Sequence, residues 1–345
     1  MKNILPMAIP AIKCYANYAH ISSILGEKSK NYYPWIYNHY IQLYVPDDYK
    51  EFPVDYMVTG MYTNTPNLFT SRIERGVAVN IRNGIINFIR FSIDNGYYIY
   101  MELEVEKIAA YANSGLQFHD PLLYGYDDEK EEIYFADTYI NGKYSKGIAS
   151  YSEMVNATGN VSDWSKFYVT DLQLDILCMK YRDLKKQFLF CKDTYTELLT
   201  YYVNKIDARK YFWEIPGVTN RGERANKCGI GIYNVLKKHL QFVKASSDRL
   251  IDKRGFYVIL EHKKLLEKSL EFLLGNGWKE VYPLEARLIK KEIEDATICL
   301  QLCLKYNITK ADKIVDKINE YAIELEETEK VLFPNLIRIV ENAEL

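Results

Sequence analysis

The sequence predicts an α+β domain followed by an all-α domain, and three observations carry that expectation. Helical stretches come first and turn-bounded alternating segments follow between residues 97 and 150, the order expected of helices laid on an antiparallel sheet. Beyond residue 171 the apolar residues recur with the 3.6-residue period of amphipathic helices. Tyrosine use changes at the same place, with 21 of the 31 tyrosines in residues 1–170. A chain of 345 residues is also long for one core. The predicted domains are therefore 1–170 and 171–345.

The first segment, MKNILPMAIPAI, has a lysine and a short apolar run, but Lys13 follows at once and no small-residue cleavage site is evident. It reads as a strand or an extended lead-in. CYANYAHISSIL follows, with Cys14, Tyr18, Ile21 and Leu25 at helical spacing. TSRIERGVAVNIRNGIINFIRFSIDNG reads as one or two further helices broken at Gly76 and Gly84. YYIYMELEV alternates, with Ile99, Met101, Leu103 and Val105 on one face and Tyr98, Tyr100, Glu102 and Glu104 on the other, so it is expected to be a strand with one wet side. A hairpin over 118–137 comes next. Asn141-Gly142 is the strongest short turn signal in the chain, and KYSKGIAS is the strand after it.

In the second half, DLQLDILCMKYRDLKKQFLF is mixed in pattern, while four later segments carry helical stripes: YNVLKKHLQFVKA, YVILEHKKLLEKSLEFLLGNG, EARLIKKEIEDATICLQLCLKYN and KADKIVDKINEYAIELEETEKVLFPNLIRIV. Gly275, Gly277, Asn307 and Pro334 are expected to punctuate them. A helical bundle is the economical reading.

Composition excludes several classes. Hydrophobic content of 48% with 26% charged residues is that of a folded chain, and a net charge of -2 argues against a nucleic-acid coat. No zinc-finger, Walker or Gly-rich dinucleotide pattern occurs, so neither nucleic acid, a cofactor nor a metal is expected. No window reaches about 18 uncharged apolar residues, so no membrane span is expected. The six cysteines form no CxxC pair and no disulfide-like framework, which fits a reducing cytoplasm.

The chemistry points to Cys14, His119 and Asp137. The turn run Asp127-Asp128-Glu129-Lys130 separates FHDPLLYGY from EEIYFAD, and pairing centred on Asp128 sets His119 opposite Asp137. Opposed residues share a face with Cβ atoms roughly 5 Å apart, so a carboxylate can hold one imidazole nitrogen while the other meets a thiol. Cys14 opens a helix, where unpaired N–H groups and the dipole favour thiolate and can bind an oxyanion. The bland alternatives are a buried apolar cysteine and a solvated carboxylate. Cys178, Cys191, Cys228, Cys299 and Cys303 stay in that class. His20, six residues after Cys14, is an alternative base that helical spacing turns away from the thiol. His39, His239 and His262 read as surface or interhelical residues.

These residues carry a resemblance. Cys14 on a first helix, the block HDPLLYGYDDEKEEIYFAD and the following GKYSKGIASYSEM resemble the papain-fold family related to the butirosin biosynthesis acyltransferase, whose N-terminal domain is similar to C39-type cysteine peptidases. The likeness is strong over 118–155 and looser elsewhere, including GFYVILEHKKLLEKSLEFL. It implies a papain-like (C39-peptidase-like) catalytic domain and a helical C-terminal domain acting as a lid or substrate dock. It also implies Cys14 as nucleophile, His119 as base and Asp137 as orienting acid. Members of this group, among them the amide-forming enzyme of closthioamide assembly, act on carrier-protein thioesters. The implied partners are therefore an acyl or peptidyl carrier protein bearing phosphopantetheine and a small amine acceptor. The chain departs from the papain pattern in having no glutamine between Met7 and Lys13, which leaves Asn17 or a backbone N–H as oxyanion donor.

Residues 205–254 hold 12 basic side chains against 5 acidic ones, either a dock for an acidic carrier or a solvated helix face with its loop. The first-half tyrosines read as sheet residues or as the lining of an acyl channel. Three functions follow: an amide-forming cysteine acyltransferase, a cysteine peptidase that trims a peptide or leader, and a binding protein that keeps the fold without catalysis.

Overall fold

The computed structural model describes residues 1–28, 32–58, 65, 67–81, 84–159, 175–184, 189–208, 226–246 and 248–343. The chain forms two compact units, Met1–Tyr32 with Met61–Gln187 and Tyr33–Gly60 with Phe188–Leu345. The expected cut near residue 170 is thus replaced by a discontinuous division. Residues 33–60 join the later half, and the first described residues beyond 171, Asp175–Tyr181, are a strand of the first unit's sheet.

The first unit contains β1 (Lys2–Ile4), α1 (Ala16–Lys28), β4 (Leu68–Glu74), α3 (Arg75–Ile81), α4 (Ile85–Asp94), β5 (Tyr98–Tyr100), β6 (Leu122–Asp127), β7 (Glu132–Ile140), β8 (Lys143–Ser150), α5 (Tyr151–Thr158) and β9 (Asp175–Tyr181). Its sheet runs β4-β9-β5-β6-β7-β8, every pairing antiparallel. One edge of β6 is shared: β5 pairs with Leu122 and Leu123, and β1 with Gly125 to Asp127. The N-terminal segment, expected as a strand or an extended lead-in, is a strand over Lys2–Ile4 only. TSRIE, expected in a helix, is instead most of β4, and Gly76 lies within α3, whereas Gly84 does break the chain before α4.

The turn after β7 has Asn141 at φ 53° and Gly142 at φ 71°, the two left-handed residues of a type I′ hairpin. Ile99, Met101, Leu103 and Val105 are all fully buried, although the regular strand ends at Tyr100 and 3-10 turns follow at Val105–Lys107 and Ala109–Tyr111. Ser150 starts α5 with a capping box: its hydroxyl accepts from the Glu153 N–H at 3.2 Å, and the Glu153 carboxylate accepts from the Ser150 N–H at 2.7 Å. Glu153 also accepts from the Ala109 N–H at 2.9 Å, so the cap of α5 fixes the 3-10 turn that ends in Tyr111. Tyr111 stacks on Phe135 at 5.3 Å, and Phe135 lies over Gly147, where an added Cβ would come within 2.4 Å of the ring. Glycine is required at that position by close approach.

In the second unit α2 (Tyr33–His39) packs on α6 (Lys192–Val203) and α8 (Arg254–Leu274), and these join α7 (Ile232–Lys244), α9 (Pro283–Thr309) and α10 (Asp312–Asn342) in a helical bundle. It is not all-α: β2 (Leu43–Pro46), β3 (Asp55–Tyr56) and β10 (Asn226–Cys228) form a small antiparallel sheet ordered β10-β2-β3. Pro334 does not end a helix but lies inside α10, whose apolar stripe includes buried Leu332, Phe333 and Leu336. That burial offsets the roughly 3 kcal/mol an interior proline costs. Asn307 likewise stays within α9 and uses its side chain to clasp Ile251, donating to its carbonyl at 2.9 Å and accepting from its N–H at 2.8 Å.

The bundle encloses a charged centre. Glu329 accepts from Tyr233 at 2.6 Å, from Tyr202 at 3.0 Å and from Lys263. Glu292 sits 3.2 Å from the Lys263 Nζ, yet neither of its buried oxygens makes a hydrogen bond among the described residues. Burial, opposed by Lys263, holds its carboxyl well above the usual range. His239 and His262 are buried rather than superficial, hydrogen-bonded to the carbonyls of Tyr49 and Ile41. Among the described residues no helix is long and apolar enough to cross a membrane.

Candidate functional site

His119 precedes β6 and is fixed by its backbone before its side chain is considered. Its N–H donates to the Leu103 carbonyl at 3.1 Å, and its carbonyl accepts from the Leu103 N–H at 2.8 Å. The expected register is corrected. Pairing runs Asp127↔Glu132 to Gly125↔Tyr134, shifts at a bulge, and continues Leu123↔Phe135 and Leu122↔Ala136. Extending it by one places Pro121, not His119, opposite Asp137. The turn occupies 128–131, with Glu131 at φ 54°, so its centre lies beyond Asp128. His119 therefore reaches Asp137 along the diagonal of one sheet face, a separation that a long ring spans.

The contact is direct: His119 Nδ1 lies 2.6 Å from Asp137 Oδ2. Asp137 is fully buried. Its Oδ2 also accepts from the Tyr111 hydroxyl at 2.6 Å and its Oδ1 from the Thr138 N–H at 2.6 Å, so the carboxylate is held by three donors. Those three bonds satisfy a polar group that is wholly removed from water. Burial alone would lower the His119 imidazole, but the Asp137 bond and charge, with Asp120 and Glu102, outweigh it and raise the ring to about 9. His119 Nε2 makes no hydrogen bond among the described residues, and 25% of the side chain is exposed.

Asp120 adds a second carboxylate, 3.4 Å from His119 Nδ1, and accepts a short bond from the Tyr100 hydroxyl. Burial pushes its carboxyl up against the pull of His119. His20 on α1 is fully buried, with Nε2 2.9 Å from the Asp120 carbonyl and Nδ1 2.9 Å from the Tyr144 hydroxyl. Burial lowers this ring to about 4, so it is neutral near pH 7.

Cys14 is half-buried and unbridged, two residues ahead of α1 rather than within its first turn. α1 packs on β7 and β9. The structure thus joins His119 to Asp137 directly, while Cys14 is related to that pair through the helix it precedes. Asn17 uses its side-chain oxygen to accept from the Tyr18 N–H at 2.9 Å.

Sequence reasoning missed Tyr100, Tyr111, Asp120 and Tyr144. The one available signal was the excess of tyrosine in the first half, read there as sheet or channel residues. Ligand-type atoms of His119, Asp120 and Asp137 lie within 4.8 Å of one another. The direct 2.6 Å His119–Asp137 bond and the full set of donors on Asp137 favour a hydrogen-bonded pair over metal ligation, where two ligand atoms each about 2 Å from an ion sit farther apart.

The basic run of 205–254 is largely neutralised where it is described. Lys227 and Lys238 meet Asp47, Lys237 meets Glu326, Lys244 meets Asp316, and Arg254 meets Glu51 and Asp252. Its residues 209–225 and 247 lie outside the described residues. No family model matches the chain, and no curated protein matches it.

Proposed function

We propose that the first unit is a cysteine acyltransferase with Cys14 as nucleophile, His119 as acid and base, and Asp137 as orienting carboxylate. The observation that carries this reading is the 2.6 Å bond from His119 Nδ1 to a buried, three-donor Asp137, with Nε2 making no hydrogen bond among the described residues. An imidazole raised to about 9 is cationic near neutrality and is suited to stabilise a thiolate beside it. The resemblance to carrier-dependent acyltransferases supplies the substrate class, an acyl thioester on phosphopantetheine with a small amine as acceptor.

The Cys14 thiolate attacks the thioester carbonyl, the new C–S bond forms, and the bond to pantetheine sulfur breaks. That leaving sulfur takes the His119 proton. One thioester replaces another, so the exchange costs little free energy. The now neutral imidazole accepts a proton from the amine as nitrogen attacks the acyl-enzyme, the C–N bond forms and Cys14 leaves as thiolate.

Intact mass after incubation with an acyl-carrier thioester tests this. An acyl adduct on the wild-type chain, absent in Cys14→Ala and discharged by an added amine, is the expected result. Absence of adduct with cleavage of a peptide would replace the reading with a peptidase. Retention of all activity in both Cys14→Ala and His119→Ala would remove catalysis at this site altogether.

A further inference from the structure

His20 is a buried histidine that the proposed chemistry does not use, and its two bonds define it closely. A carbonyl only accepts, so Nε2 must donate to the Asp120 oxygen. In a neutral ring Nδ1 is then the acceptor, and the Tyr144 hydroxyl must donate to it. The ring also lies edge-on to Tyr100 at 5.6 Å and against Tyr144 at 5.5 Å. Around it are α1 itself, Tyr100 at the end of β5, His119 and Asp120 ahead of β6, Asp137 on β7 and Tyr144 on β8, with His119 and Asp137 acting on it through their charges.

We propose that His20 is a positioning residue that ties α1, and with it Cys14, to the backbone that carries His119. The inference rests on the acyltransferase reading of the site and adds to it what sets the distance between sulfur and ring. Residue 120 is gripped twice, its carbonyl by His20 and its carboxylate by Tyr100, and its neighbour His119 is gripped by Leu103. His20 on α1, a hundred residues ahead of Asp120 in the chain, thereby registers that helix on the segment holding the base. Tyr144 supports the same tautomer: its hydroxyl supplies the donor that the buried Nδ1 lone pair needs, and without it that lone pair is left unpaired and the tie to Asp120 is weakened.

The test follows Cys14 itself, so that no substrate need be known. The rate of Cys14 alkylation by iodoacetamide is read against pH by peptide-resolved mass spectrometry on the full chain, with circular dichroism and melting as controls for folding. In the wild type the Cys14 reactivity should persist at least tenfold above that of an ordinary thiol at pH 6, and His119→Ala should abolish that excess. Tyr144→Phe and His20→Leu should move the profile toward that of His119→Ala, while His20→Gln, whose amide can donate to Asp120 and accept from Tyr144, should retain most of it. A folded Tyr144→Phe and a folded His20→Leu with wild-type profiles overturn the positioning role and leave the acyltransferase reading intact. A wild-type Cys14 that titrates as an ordinary thiol, unaffected by His119→Ala, overturns that reading and this inference with it.

Discussion

The Tyr111 hydroxyl and the His119 ring converge on one atom, Asp137 Oδ2, each at 2.6 Å. Tyr111 is buried and arrives from a 3-10 turn pinned by Glu153, so its donation is built in by the cap of α5. Tyr111→Phe should keep the stacking on Phe135 and remove only the donor. The expected cost is about 1–3 kcal/mol in stability, the range for leaving a buried charged acceptor short of a partner. Denaturant melts measure it. A cost near zero would show that Asp137 does not depend on this bond.

His119 makes stability depend on pH. Its ring is held at about 9 in the fold against 6.5 when unfolded, so the stabilisation is complete below pH 6.5 and is lost as pH rises through 9. The full loss is on the order of 3 kcal/mol for a ring that is only a quarter exposed. Between pH 6 and pH 9.5 the wild type should lose about 3 kcal/mol more stability than His119→Gln in denaturant melts, and a direct NMR titration of the ring should show it still protonated at pH 8.

Glu292 acts in a neighbouring window. Its carboxyl is held up toward about 8, so between roughly 4.5 and 8 the unfolded chain gives up a proton that the fold retains, and stability falls as pH rises across that range. The fall ends above 8. Glu292→Gln, which keeps the shape and removes the titration, should flatten the slope between pH 5 and pH 7, where His119 contributes least. An unchanged slope would mean that the centre around Lys263 is ionised throughout.

The sequence made the local parts of this molecule legible and hid the distant ones. Asn141-Gly142 was readable because a two-residue hairpin demands left-handed backbone at both positions. The His119 and Asp137 pairing was readable from hairpin geometry although the register was not, since the turn at 128–131 centres beyond Asp128 and its run of charged residues does not mark where it closes. β9 was obscured because Ile176, Leu177, Cys178 and Met179 are all buried, so the strand does not alternate. β4 was misread because its residues Ser71 and Arg72 are exposed and its flanks are helix-like. Tyr111, Asp120 and His20 join the site through contacts spanning 26, 20 and 100 residues, which no local period can report.

The Tyr33–Gly60 stretch has a practical consequence for anyone dissecting the chain. Severing the polypeptide after Gln187 would not liberate an intact carboxyl-terminal half, because β2, the middle strand of its small sheet, would depart with the other fragment. The orphaned β10 would then lose Val45 and Tyr44 as ladder mates. Excising either module cleanly takes several scissions and a splice, so fragments produced by one cut are expected to be insoluble, and co-expression of the two pieces is the better route to reassembly.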